Sequence, residues 1–356
     1  MKINDFKLEV FFSKYEFTAP YLLTQSDCES MTAKELLAYE PGSEEGLLNQ
    51  WLGYTETLGD PELRKEVAKL YKTMTDEDIL ILHGAQEGIF GFMNVMLEEG
   101  DHMIAQFPSY QSLYEVANTV PYCSHSKWRI HDDGEKWSMD FDELETLIRP
   151  NTKMIVINTP NNPTGYTFTN EGIERLCDIC GKHDIWLFSD EVYKGLELDG
   201  EKRDWAADHY EKAVSLGVLS KSYGLSGLRV GWLALKDHEL NRFKNYLSIC
   251  DAAPSEYLGK IAVRHTDELN ARSVETIKKN KAIADAFFKK YDTLFEAKPL
   301  QAGPVAFHKL LIDMPVKDFC RMGRAFCCFL PRYMMMRDST SDSDTDERTC
   351  PKPWPS

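Results

Sequence analysis

Apolar residues gather along the chain in short continuous runs, and longer amphipathic stretches separate one run from the next. DILILH (78–83), HMIAQF (102–107), KMIVIN (153–158), IWLFSD (185–190) and AVSLGVL (213–219) are of strand length and largely apolar on both alternating faces. Strands of that kind belong in a sheet covered on both sides, the usual setting of parallel strands. Helical periodicity fills the gaps, over residues 86–97, from near Ser112, and through NEGIERLCDICGKHD (170–184). Alternation of strands and helices predicts an α/β fold around a mostly parallel sheet. From about residue 240 the pattern changes to a long helix, with HTDELNARSVETIKKNKAIADAFFKKY at 265–291, and then a short strand candidate, VAFHKLLI (305–312). No internal repeat is evident.

In such sheets ligands lie at the carboxyl ends of the strands. Each of these runs is followed there by glycine, proline and reactive side chains: GAQEG (84–88), FPSYQSLY (107–114), NNPTG (161–165), SDEVY (189–193) and LSKSYGLSGLRVGW (219–232). The last is the most informative. It offers one amine, Lys221, with an arginine, Arg229, further along and glycines at 224 and 227 that let backbone approach a ligand closely. An amine nucleophile beside a cationic clamp suits a cofactor that carries both a carbonyl and a phosphate.

Composition narrows the picture. The 356 residues allow one large domain with a smaller companion and a substantial core. A net charge of −16 argues against binding nucleic acid through a basic face. No apolar run approaches the roughly 18 residues of a membrane-spanning helix, and MKINDFKLEV lacks the apolar centre of a signal peptide. Nine cysteines, an odd number, suit a reducing compartment better than a disulfide framework, so a cytoplasmic location is expected. Cys177 and Cys180 form a C-x-x-C, but no second pair follows at zinc spacing and both fall in a helical pattern. They are read as packing residues, and no metal is expected.

GAQEG, NNPTG, SDEVY and the segment around Lys221, in this order, resemble the class I/II aminotransferases, which are fold-type I enzymes dependent on pyridoxal 5′-phosphate. The likeness is dense over residues 47–232 and looser to about Asp313. It implies a seven-stranded type of sheet in a large domain and a smaller α+β domain. The expected division is an N-terminal arm (1–45), a large cofactor-binding domain (46–240), and a linker helix with the start of the small domain (241–318). An atypical tail (319–356) would follow.

The resemblance assigns roles residue by residue. Lys221 corresponds to the lysine that forms the Schiff base and then moves the substrate's α-proton. Asp190 corresponds to the carboxylate that pairs with the pyridine nitrogen and keeps the ring electron-poor. Tyr193 and Asn162 correspond to the phenol and amide that bond to the ring's 3-oxygen, with Asn162–Pro163 a candidate cis peptide. Gly84, Ala85 and Gln86 open a helix after a strand, which is where the phosphate would lie. Arg229 would hold the same phosphate in bidentate fashion, and Ser220 would add a hydroxyl. Val218 replaces a serine that often binds phosphate in relatives. Tyr110 corresponds to the aromatic residue that stacks on the ring. Tyr54 corresponds to the tyrosine that reaches the neighbouring subunit's phosphate, which implies a homodimer. Glu191 is read as structural.

The implied reaction moves an amino group between an amino acid and a 2-oxo acid. A lyase or cyclase acting on an amino acid would use the same residues, and an impaired cofactor-binding paralogue remains a third reading. The tail departs from the family. CRMGRAFCCFLPRYMMMRDSTSDSDTDERTCPKPWPS has neither helical nor strand period and ends in a Ser/Asp/Thr-rich tract of disordered character. MMRDSTSDSD has an encoding that, read two bases later, gives DEGLYFRLG, close to the family's carboxylate-binding segment. A shifted reading frame from about Arg321 is therefore expected, and Arg321, Arg324, Arg332 and Arg337 are poor substitutes for the missing arginine.

Overall fold

The computed structural model describes residues 3–18, 25–315 and Phe319. The tail from 320 onward, with the frame-shift expectation and Arg321, Arg324, Arg332 and Arg337, lies outside the described residues.

Eight strands form the main sheet: β1 (Ile79–Leu82), β2 (His102–Phe107), β3 (Ser124–Asp132), β4 (Trp137–Met139), β5 (Thr152–Asn158), β6 (Trp186–Asp190), β7 (Ala213–Val218) and β8 (Gly231–Ala234). Their spatial order is β1-β8-β7-β6-β5-β2-β3-β4. β3, β2, β5, β6 and β7 pair in parallel. β8 runs antiparallel between β7 and β1, and β4 folds back on β3 as an outer hairpin strand. The sheet is thus seven strands with one reversed, plus the hairpin strand. The five apolar runs read from the sequence are β1, β2, β5, β6 and β7.

Alternate residues of these strands feed separate cores, as the two-residue repeat of a strand requires. Met103, Met154, Phe188 and Leu216 pack with Phe92 and Met93 of the helix Ala85–Met96. Ile104, Ile155 and Leu187 face the other way, onto Ile173, Leu176, Cys177 and Cys180 of the helix Asn170–His183. Cys177 and Cys180 are buried free thiols in that apolar layer, and burial pushes the Cys177 thiol up to about 12. In β1, Leu80 and Leu82 join the first core, while Ile79 and Ile81 join a third with Leu63, Val67 and Trp232.

Two helices follow the sheet, Ala253–Arg264 and Thr266–Lys290, the second covering most of the long helical pattern. A two-stranded ribbon then pairs Phe295–Glu296 with Lys309–Leu310. At the other end, a helix Lys7–Tyr15 lies over the sheet's rim, tied there by Lys7 N–H to Gln111 Oε1 (3.1 Å), Gln111 Nε2 to the Asp5 carbonyl (2.9 Å) and Phe6 edge-on to Tyr110. No helix among the described residues is long and apolar enough to cross a membrane.

Candidate active site

The topology brings six segments to one rim. β1, β2, β5, β6 and β7 are parallel to one another, so their carboxyl ends coincide. β8 is reversed, so its first residue lies there too: Gly231 is in register with both Leu82 and Val218. Over this rim opens a cavity of about 340 Å³ lined by Ala85, Gln86, Tyr110, Asn158, Asn162, Asp190, Tyr193, Ser220, Lys221 and Arg229, among others.

Lys221 stands on the connection between β7 and β8. That connection is pinned by Leu219 N–H to the Val230 carbonyl (3.0 Å) and Leu225 N–H to the Leu219 carbonyl (2.9 Å). Gly224 has φ +68, and a Cβ there would come within 2.5 Å of the Glu29 carbonyl oxygen, so only glycine admits the close passage of residues 28–29. The Lys221 ammonium donates to Ser26 Oγ (3.0 Å) and lies 4.0 Å from Asp27 Oδ1.

Asp190 ends β6, opposite Asn158 at the end of β5. Its Oδ1 accepts the Val192 N–H at 3.2 Å. Burial raises its carboxyl to about 7, Glu191 pushes in the same direction, and the Val192 N–H and Lys221 oppose them. A carboxyl so enclosed suits a cationic partner that would restore its charge. Glu191 is buried beside Asp190 but points elsewhere, to the Ala206 N–H (3.1 Å), Ser189 Oγ (3.1 Å) and Lys194 (3.4 Å).

Asn162 and Tyr193 meet across the cavity, with Asn162 Nδ2 donating to the Tyr193 hydroxyl at 3.2 Å. Asn158 organises that corner. Its Oδ1 accepts the Asn162 N–H (2.6 Å), and its Nδ2 donates to the Asp190 carbonyl (3.0 Å). The Asn162–Pro163 peptide is cis.

On the far side of the cavity, Gly84 is the N-cap of Ala85–Met96, and no side chain caps that helix. The uncapped amides and the helix dipole make an anion cradle. Gly84 has φ +83, and a Cβ there would sit 2.3 Å from Arg229 Nη2, so the guanidinium lies directly over the cradle. Arg229 Nη1 also donates to Ser220 Oγ (3.2 Å) and the Ser226 carbonyl (3.0 Å). Val218 is buried at the cavity wall, where its side chain offers no hydroxyl. Tyr110 lines the cavity with its hydroxyl 3.5 Å from Gln86 Oε1.

Tyr54 is not brought to this cavity. It is 85% exposed and lines a separate depression with His83, Ser248 and Asp251. Conversely, the cavity includes residues that the sequence pattern did not single out: Ser26, Asp27, Asn158, and Glu9, Phe12 and Glu16 from the first helix and its C-cap. The spacing of 9, 12 and 16, one helical face, was the available signal for the last three.

Comparison with known proteins accords with this geometry. The family described as aminotransferase class I and II matches residues 21–296. A probable kynurenine–oxoglutarate transaminase of Saccharomyces cerevisiae is 31% identical over 57% of this chain and 50% of its own length. Capreomycidine synthase of Streptomyces vinaceus is 26% identical over 88% of this chain and 81% of its own. The solved structure of a PLP-dependent aminotransferase from Streptococcus suis superposes with a TM-score of 0.86 at 29% identity, covering 94% of this chain and 91% of that one. Against the first curated relatives the chain spans about half of their length.

Proposed function

Because the chain belongs to the class I and II aminotransferase family, we propose that it binds pyridoxal 5′-phosphate and transfers an amino group between an amino acid and a 2-oxo acid. The observation that carries this reading is the convergence on one cavity of an amine (Lys221), a buried carboxyl (Asp190), an amide–phenol pair (Asn162, Tyr193) and an uncapped helix start beneath a guanidinium (Gly84, Arg229).

The donor set fits the cofactor group by group. The Gly84–Gln86 amides and Arg229, with Ser220 beside it, hold a phosphate. Asp190 supports a protonated ring nitrogen, and gaining that cation would offset its burial. Asn162 and Tyr193 offer donors to a ring oxygen, and Tyr110 covers the ring. When bound, the cofactor supplies an electron sink for a carbanion at the substrate's α carbon. Lys221 would hold the cofactor through its amine and, with substrate bound, would move the proton at the substrate's α carbon. Ser26 and Asp27 orient its Nζ, and the helix Lys7–Tyr15, with Phe12 facing the cavity, keeps water from that proton.

The exposed Leu48, Trp51, Leu52 and Tyr54 form an apolar stretch that suits contact with a second copy of the chain. In such a homodimer Tyr54 serves its partner's phosphate site. A second reading is cyclisation or elimination on an amino acid, since the match to capreomycidine synthase, a relative not named as a transaminase, spans more of this chain than the transaminase match does.

Two measurements decide. Borohydride reduction of the reconstituted protein should place the cofactor on Lys221, and colourless protein unmodified at that position defeats the proposal. Incubation with a panel of amino acids should release 2-oxo acid catalytically only when an acceptor 2-oxo acid is added. Turnover without an acceptor selects the lyase or cyclase reading.

A further inference from the structure

Immediately behind the anion cradle lies a buried ionic cluster that the proposed chemistry does not use. Lys244, in the 3₁₀ segment His238–Tyr246, has a wholly buried side chain. Its ammonium donates to Glu87 Oε2 (3.1 Å) and Asp251 Oδ2 (3.0 Å), whose side chains are 9% and 1% exposed. Glu87 lies in the first turn of Ala85–Met96. Its Oε2 also accepts the His83 N–H (2.6 Å), and its Oε1 accepts both the N–H (3.1 Å) and the hydroxyl (2.7 Å) of Ser248. Asp251 Oδ1 lies 3.2 Å from His83 Nδ1. The cluster therefore grips the residue before Gly84 and the helix turn after it. Burial pushes the Glu87 carboxyl up, but Ser248, His83 and Lys244 outweigh it and hold the group below its ordinary range.

We propose that Lys244 is a positioning residue for the anion cradle: shared between Glu87 and Asp251, it offsets the Glu87 charge and locks the His83–Glu87 turn so that the amides at Gly84–Gln86 stay available to a phosphate. Two physical considerations favour this over a purely structural role. A buried ion pair is commonly no better for stability than well-packed apolar side chains, so stability alone is a weak reason for a fully buried lysine. A carboxylate in the first turn stabilises a helix, but it also competes with an exogenous anion for the same dipole and amides. Lys244 reduces that competition while Glu87 keeps its hydrogen bond to the turn.

The inference rests on the phosphate-binding reading of the cradle, and the test separates the two. The cofactor-free protein is titrated spectroscopically with pyridoxal 5′-phosphate and, separately, with pyridoxal, which lacks the phosphate. Wild-type protein should bind the phosphate ester more tightly. In Lys244→Met, the dissociation constant for the phosphate ester should rise about tenfold or more, while that for pyridoxal changes little. Adding Glu87→Gln to Lys244→Met should recover part of the lost affinity, because the uncompensated charge nearest the amides is removed and the amide oxygen still accepts from His83, at the cost of the Ser248 N–H bond. Should Lys244→Met fail to fold, Lys244→Gln keeps a donor without a charge and carries the same prediction. Wild-type affinity for the phosphate ester in Lys244→Met or Lys244→Gln, or equal weakening toward both compounds, overturns the role of Lys244. Wild-type protein that binds neither compound overturns the cofactor reading itself, and the inference with it.

Discussion

Replacing Gly84 by alanine tests the cradle where backbone and ligand chemistry meet. Gly84 has φ 83 and ψ 168, a region that is essentially glycine-only and costs other residues on the order of 1–3 kcal/mol. The new methyl would also lie 2.3 Å from Arg229 Nη2 and 3.0 Å from its Cζ, so the guanidinium must swing away. That movement gives up its bonds to Ser220 Oγ (3.2 Å) and the Ser226 carbonyl (3.0 Å) along with its place over the helix start. A charged hydrogen bond contributes about 1.5–3 kcal/mol, so losing one such contact to the phosphate weakens binding by roughly 10- to 100-fold. The strain is a modest part of a typical total stability of about 5–15 kcal/mol, so the chain should still fold. Absorbance titration with pyridoxal 5′-phosphate reads the binding loss, and thermal melting of the cofactor-free protein reads the strain. Gly84→Ala protein that binds the cofactor as tightly as wild type would refute the argument that Arg229 and the uncapped helix start share one anion.

Three further outcomes are expected. Because the Asp190 pKa in the folded, cofactor-free chain is raised to about 7, above the ordinary carboxylate value of about 3.9, folding favours its protonated form. That contribution is complete below about pH 4 and fades as pH rises through about 7, so urea midpoints should fall over this window in wild type but much less in Asp190→Asn; parallel slopes would contradict it. Phe188, wholly buried and packed on Phe92 at a centroid distance of 5.2 Å, should cost about 3–5 kcal/mol when cut to alanine, read by denaturant unfolding; a cost below about 1 kcal/mol would show that the site collapses freely. If the proposed homodimer forms, Trp51→Asp, on the exposed stretch that carries Tyr54, should shift it to monomer in sedimentation, and an unchanged dimer would place the subunit contact elsewhere.

How much was legible in the sequence followed from how local each signal is. β1, β2, β5, β6 and β7 are buried on both faces and announce themselves as apolar runs. β3 does not: in SHSKWRIHD only Trp128 and Ile130 are buried, so its sequence reads as polar. β8, GWLA, begins inside the segment LSKSYGLSGLRVGW (219–232), whose glycines and arginine read as ligand contacts rather than as strand pairing. The site shows the same divide. Residues carried by short motifs, such as Asp190 with Tyr193 or Lys221 with Arg229, were visible because neighbours in sequence stay neighbours in space. Ser26 and Asp27 meet Lys221 across nearly two hundred residues, and no local pattern encodes that meeting. Lys244 leaves no local signal for a related reason: on a polar 3₁₀ segment, a lysine reads as solvated until its two carboxylate partners are placed beside it.

The reversed strand β8 has one more consequence. Since Gly231 aligns with Val218 on one side and Leu82 on the other, the distance from the amine at 221 to the guanidinium at 229 is metered by a hairpin whose two ends are clamped to the sheet. The stretch between them works as a ruler, and its length is as much part of the proposed site as its chemistry. Protein engineers who lengthen or shorten it by a single residue should expect the two cations to fall out of step with each other, even with every functional side chain retained.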